Sequence, residues 1–208
     1  TSQVIMDFKA WLGKQPWLSY DGEWSGVPFN EGFEIVCLSF GHPDSKEVWV
    51  FDEALKSRKV HELIKSILLS VPIVAQNVAA EFVATHCHFG IELERIEGDT
   101  MLAFKLQNVD SKAALEDLAY YIGYNSHKAE MAAELEERRA YTEHAHPTKD
   151  IGDASYKSYI FKYVNPEIRA RYNALDTFIT GELHVESLRR LAHPRNSFMT
   201  NTYRDYLI

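Results

Sequence analysis

Cysteine is scarce in this chain: Cys37 and Cys87 are the only two among 208 residues. So few exclude a disulfide framework and suit a reducing compartment. Long apolar runs are also missing. None approaches the roughly 20 residues that a membrane-spanning helix needs, so no membrane partner is expected. The opening segment TSQVIMDFKAW has neither the basic stretch nor the long apolar stretch of a secretory signal. An intracellular, cytoplasmic protein is therefore expected. That segment also lacks an initiator Met, which points to a chain processed or excised from a longer one. Basic residues are outnumbered, with 22 Lys and Arg against 30 Asp and Glu and a net charge of −8. This balance excludes a non-specific nucleic-acid coat, which would be basic. It does not exclude an enzyme that grips a few phosphates through metal ions. There is no Gly-rich phosphate loop, no G-x-S-x-G, no nucleotide fingerprint and no internal repeat.

What is present is a single-domain length with an ordinary apolar content of 46%. Residues 4–12 carry helical spacing, with Val4, Phe8, Trp11 and Leu12 on one side. WLSYDGEW (17–24), EIVCLSFG (34–41) and KEVWVF (46–51) read as strands, the last two joined as a hairpin by GHPDS. A helix over 53–69 follows, then VPIVAQ (71–76), a short apolar run that suits a buried parallel strand. Helix 78–89 comes next, and a brief extended piece, LERIEG, leads to Asp99.

Thereafter the spacing is helical over 99–107, 112–123 and 126–141, with a polar loop at 142–153 and a helix at 155–163. Asn165 and Pro166 open a long final helix, since Pro suits the first helical turn. Ile168, Tyr172, Leu175, Ile179 and Leu183 line one of its faces. From His193 no period is evident. Strands first, then alternation, then helices give an α/β class with a mixed sheet and a helical C-terminal half.

Three groups of residues could carry chemistry. Asp21 and Glu23 lie two apart on a strand, so both point to one face, where they could flank a divalent cation. Asn77 and Glu81 lie four apart, directly after the buried strand, where α/β proteins place ligands. Tyr172 and Asp176 are also four apart, on the long helix. Asp176 sits among Leu175, Phe178 and Ile179, and a carboxylate there needs a partner: a metal ion, or Arg169 or Arg171. Taken alone, the first two pairs also fit a solvated surface, and Asp176 a structural ion pair with arginine. Thr85–His88 has no second ligand pair at zinc spacing, and Cys87 reads as core. Trp24, beside Glu23, is the aromatic residue best placed to meet a ligand.

The three groups in this order resemble the DEDD-type 3′→5′ exonucleases of the Tyr subgroup, most of all the proofreading domain of family A DNA polymerases. LSYDGEW matches the first motif with Asp21 and Glu23, and RYNALDTFITGEL the third with Tyr172 and Asp176. VAQNVAAEF stands at the second, GDTMLAFKL resembles the helix start after it, and SKAALEDLAYYIGY a Ser-Leu-x-x-Leu-Ala segment. The resemblance spans about residues 17–190, leaving 191–208 as a tail or a connection to a following domain. It implies an RNase H-like mixed five-stranded sheet flanked by helices.

The resemblance also implies two divalent ions, Mg²⁺ or Mn²⁺, held by Asp21, Glu23, Glu81 and Asp176. Tyr172 would orient the attacking water, while Asn77 and Trp24 would contact the substrate. Asp99 would be a supporting or helix-capping residue. The implied substrate is a single-stranded DNA 3′ end, with a polymerase domain in the same parent chain. Three departures fall in the second motif: Glu81 replaces Asp, Gln76 replaces His and Ala80 replaces an aromatic. An RNA-trimming exonuclease of the same fold, or a degenerate copy kept as a structural or binding module, stays open.

Overall fold

A computed structural model describes residues 2–107, 113–125, 128–145, 160–193 and 197–207. Five strands form one mixed sheet: β1 (Leu18–Ser25), β2 (Glu34–His42), β3 (Glu47–Phe51), β4 (Ile73–Ala75) and β5 (Ile96–Asp99). The order across it is β3-β2-β1-β4-β5. The β1–β2 and β2–β3 pairs are antiparallel, whereas β4 joins β1, and β5 joins β4, in parallel. This is the expected α/β class, and the GHPDS hairpin forms with Leu38 opposite Phe51.

The sheet has two unlike faces. On one, β1 and β2 present Leu18, Tyr20, Leu38 and Phe40 to α1 (Ser2–Leu12), α2 (Arg58–Ser70) and α3 (Val78–Phe89). Phe8, Trp11, Tyr20, Phe40 and Phe51 form a chain of ring contacts there, with neighbouring centroids 5.1–6.5 Å apart. Burying such side chains stabilises by roughly 1.5–3 kcal/mol each, so this face carries much of the hydrophobic stabilisation. On the other face the register sets Ser19 opposite Gly41, Asp21 opposite Ser39 and Glu23 opposite Cys37.

The long helix α7 (Pro166–Leu191) lies over that second face. It starts as expected, with Asn165 as cap accepting from the Glu167 N–H and Pro166 in the first turn. Its buried stripe toward the sheet is polar: Arg169, Asn173, Asp176, Thr177, Thr180 and His184. The apolar side of α7 meets helices instead. Ile179 and Leu183 pack with Phe104, Leu115 and Leu118 of α4 (Thr100–Gln107) and α5 (Leu115–Tyr121). Ile168 and Tyr172 pack with Met131 of α6 (Ala129–Ala145) and with Ile160 and Val164. Leu175, expected on the inward face, is 37% exposed, because α7 divides its inward surface between sheet and helices.

Other expectations shift at the edges. The segment at 53–56 is a 3-10 turn before α2 begins at Arg58. Helix α6 runs on to Ala145, into the segment read as a loop, while 146–159 lie outside the described residues. Of the helix expected at 155–163, only Ile160 and a 3-10 turn at Phe161–Tyr163 are described. Cys87 is half-buried and not fully in the core. The tail forms a helix, α8 (Ser197–Leu207). It docks through Tyr203, which is buried and whose hydroxyl accepts from the Asp99 N–H at 2.8 Å.

Candidate metal centre and active site

Strand period and helix turn bring the first and third motifs together. Asp21, Glu23 and Asp176 each offer a carboxylate oxygen, and these oxygens lie within 4.8 Å of one another. Asp21 and Glu23 share the polar face of β1, and Asp176 meets them from α7. Neither arginine named as a possible partner reaches Asp176. Arg169 makes two bonds to Asp52, at 2.6 and 2.7 Å, and Arg171 pairs with Glu130 at 3.4 Å. The Tyr172 phenol, one turn back on the same helix, is close enough to feel the Asp176 carboxylate.

A residue that the sequence reading passed over holds Asp21 in place. Asn173 donates from Nδ2 to Asp21 Oδ2 at 2.6 Å and to the Asp21 carbonyl at 3.1 Å, while its own Oδ1 faces Cys37 Sγ at 3.6 Å. Its signal in the sequence was its place between Tyr172 and Asp176, three residues and thus nearly one turn before the acid. Close contact between α7 and the sheet depends on small side chains. A Cβ on Gly41 would stand 3.1 Å from both Ser19 Oγ and Thr177 Cγ2.

Glu81 takes a different position. It lies outside the set of three, buried on α3. Strand β4 is only three residues long and pairs with β1 at Leu18 and Ser19 alone. Beyond Ser19 that edge of β1 has no strand partner from β4, and the Glu81 carboxylate accepts the Gly22 N–H there. A side chain on Gly22 would press on Glu81 Oε2 at 3.1 Å and the Tyr20 hydroxyl at 3.2 Å. Glu81 Oε2 itself has no hydrogen-bond donor although it is buried. An unpartnered buried carboxylate oxygen beside other acids is the kind of atom that a cation satisfies.

The other second-motif residues shape the strand end. Asn77 adopts a left-handed backbone with φ 61°, which Asn tolerates, and its carbonyl accepts from Ala80 and Glu81 N–H groups. Its side chain makes no capping bond. Gln76 donates to the Ala113 carbonyl at 2.7 Å and bonds the Thr100 hydroxyl, so it anchors β4 to the chain beyond. Asp99 caps two helices at once, accepting from Val78 N–H and Leu102 N–H, each at 3.0 Å, as the capping expectation had it. Trp24 is half-buried against the apolar core, with its ring 6.4 Å from that of Phe33.

Electrostatics mark the cluster as a charge-poor site for anything but a cation. Burial and the neighbouring Asp176 push Asp21 up to about 8, against the pull of the Asn173 hydrogen bond and of Lys128. Burial, then Asp21, Asp176 and Glu81, hold Glu23 well above the usual carboxylate range. Glu81 is raised by burial and by Asp21. Burial and the three nearby carboxylates also raise the Tyr172 phenol, so it keeps its proton. Carboxylates this crowded either hold protons or share a cation. An all-oxygen donor set is the hard kind that suits Mg²⁺ or Mn²⁺, and the residues present fit such ions.

Comparison with known proteins agrees with this arrangement. The model of the 3′-5′ exonuclease family matches residues 1–191. The chain belongs to that family. Among solved structures, the EXO domain of Aedes aegypti Nibbler is similar with a TM-score of 0.57 and 15% identity, over 94% of this chain and 90% of that one. Escherichia coli RNase D gives a TM-score of 0.54 and 12% identity over 99% of this chain. This exonuclease domain spans about half of the RNase D chain, 48% of it. These likenesses establish an RNase H-like exonuclease fold. No curated protein matches the sequence significantly. No helix among the described residues is long and apolar enough to cross a membrane.

Proposed function

We propose that this exonuclease domain is catalytically active and divalent-metal dependent. It would remove nucleotides one at a time from single-stranded DNA 3′ ends, as the proofreading part of a polymerase. The observation that carries the reading is the convergence of Asp21, Glu23 and Asp176, with the Tyr172 phenol within reach of their charge. Asp21, Glu23 and Asp176 would hold Mg²⁺ or Mn²⁺, and Glu81 would join them from the free edge of β1. When bound, two such ions supply a deprotonated water and offset charge at the leaving 3′ oxygen. Tyr172 keeps its proton and therefore aims water through its hydroxyl instead of deprotonating it. Asn173 fixes the rotamer of Asp21. Asn77, whose side chain is not used in capping, and Trp24 would contact the substrate near its end.

The motif resemblance to family A proofreading domains favours DNA. A net charge of −8 gives the domain little attraction of its own for a polyanion. A tethered polymerase would raise the local concentration of the 3′ end, which makes weak intrinsic binding sufficient. RNA is the second reading, because E. coli RNase D is an exoribonuclease involved in structured RNA processing. The test is digestion of matched 3′-labelled DNA and RNA single strands with Mn²⁺ or Mg²⁺, with and without chelator. Mononucleotides from DNA, lost in EDTA, are expected. Faster release from RNA selects the second reading. Cleavage undiminished by EDTA, or no cleavage of either strand, overturns the metal-dependent nuclease.

A further inference from the structure

Beside the acidic cluster stands a cation that none of the three motifs contains. Lys128 directly precedes α6, and its carbonyl accepts from the Ala132 N–H at 2.8 Å. The residue is half-buried, and its Nζ lies 5.7 Å from the centre of the Tyr172 ring. Its charge is felt by both Asp21 and Glu23. The arginines around it are committed to acids elsewhere: Arg169 to Asp52, Arg171 to Glu130 and Arg138 to Glu134. None of those arginines acts on Asp21 or Glu23 as Lys128 does.

A phosphodiester entering this site carries a negative charge toward several carboxylates. That repulsion calls for a cation near the acids, and Lys128, over the Tyr172 ring, is close enough for its charge to reach Asp21 and Glu23. We propose that Lys128 contacts a non-bridging oxygen of the scissile phosphate from over the Tyr172 ring, and stabilises the charge that builds there during hydrolysis. A four-carbon stem ending in a compact ammonium can follow the phosphate as it moves, acting as a point charge. A fixed cation at developing charge is among the stronger sources of rate enhancement. Lys128 neither gives nor takes a proton in this role. The inference rests on the exonuclease reading above.

A purely structural role makes the opposite forecast. If Lys128 only counterbalances the acids, its removal tightens Mn²⁺ binding and leaves the rate at saturating metal unchanged. The experiment compares Lys128→Ala, Lys128→Gln and Lys128→Arg with the parent. It measures single-turnover rates on a 3′-labelled strand at saturating Mn²⁺, Mn²⁺ affinity by calorimetry, and the unfolding midpoint of each variant. Expected are rates reduced about ten- to hundred-fold in the Ala and Gln variants, Mn²⁺ affinity equal or tighter, and substantial recovery with Arg. A phosphorothioate at the scissile bond should also slow the parent more than Lys128→Ala, because the contact has already gone. Ala and Gln variants that stay within about two-fold of an active parent overturn the inference alone. A parent that cleaves neither DNA nor RNA removes the exonuclease reading, and this inference with it.

Discussion

The two faces of the sheet are built on opposite principles. The face under α1, α2 and α3 is closed by rings and aliphatic side chains, Phe8, Trp11, Tyr20, Phe40 and Ile64 among them. The face under α7 is closed by Ser39, Asn173, Thr177 and two glycines, joined by hydrogen bonds such as Ser39 Oγ to the Asn173 carbonyl at 3.2 Å. The first arrangement gains free energy from area removed from water. The second gains little from area and instead fixes the positions of acids that repel one another. Apolar burial is concentrated on one side of β1 and the acidic cluster on the other, with alternate residues of a single strand serving each.

The comparison breaks most sharply if the polar face loses an acid. Asp21→Ala and Asp176→Ala are each expected to lower mononucleotide release about a thousand-fold or more, while the fold survives. An unfolding midpoint that drops along with activity would mean that the polar face also carries stability. On the other side, Phe40→Ala should cost about 3–5 kcal/mol in chemical denaturation. Below its new midpoint, it should leave the rate per folded molecule unchanged. A Phe40→Ala protein that is stable but inactive would show that the two faces are not separable.

Glu81 tests the border between them, since it comes from the apolar side and reaches the edge of β1. Glu81→Ala should reduce activity by about ten- to hundred-fold, and Glu81→Asp should be tolerated or faster, read as single-turnover rates at fixed Mn²⁺. Wild-type behaviour of Glu81→Ala would leave it as a structural acceptor for the Gly22 N–H.

A last effect concerns pH in the metal-free protein. Asp21 is raised in the folded state from 3.8 to about 8, so the folded form binds the extra proton. The resulting stability is fully present below about 4 and is lost as pH rises toward 8, the reverse of an ordinary ion-paired carboxylate. Thermal unfolding of metal-free protein between pH 5 and 8 should show a falling midpoint, to which the raised Glu23 and Glu81 add. Asp21→Asn should flatten that fall, and saturating Mg²⁺ should remove it. A midpoint that rises across the same interval would mean that the acids are not crowded in solution.

Local spacing in the sequence was enough to place Asp21 and Glu23 on one face of a strand, to put Tyr172 and Asp176 one turn apart, and to start α7 at Asn165 and Pro166. Backbone geometry alone fixes those relations, because strand and helix periods do not depend on what lies across the molecule. The tertiary structure decided the rest. It chose the polar stripe of α7 over its apolar one to face the sheet. It ended β4 early enough for Glu81 to reach the Gly22 N–H, and it brought Asn173 to Asp21 across 152 positions of sequence. It also made a helix of 197–207, a stretch without a clear apolar period, by giving Tyr203 a place at Asp99, 104 residues away. Lys128 belongs with these. Nothing near it in the chain marks it, and only the packing of α6 beside α7 carries its charge to Asp21 and Glu23. Such contacts depend on strand register and helix docking, which are set by the competition of all side chains for burial and have no local signature.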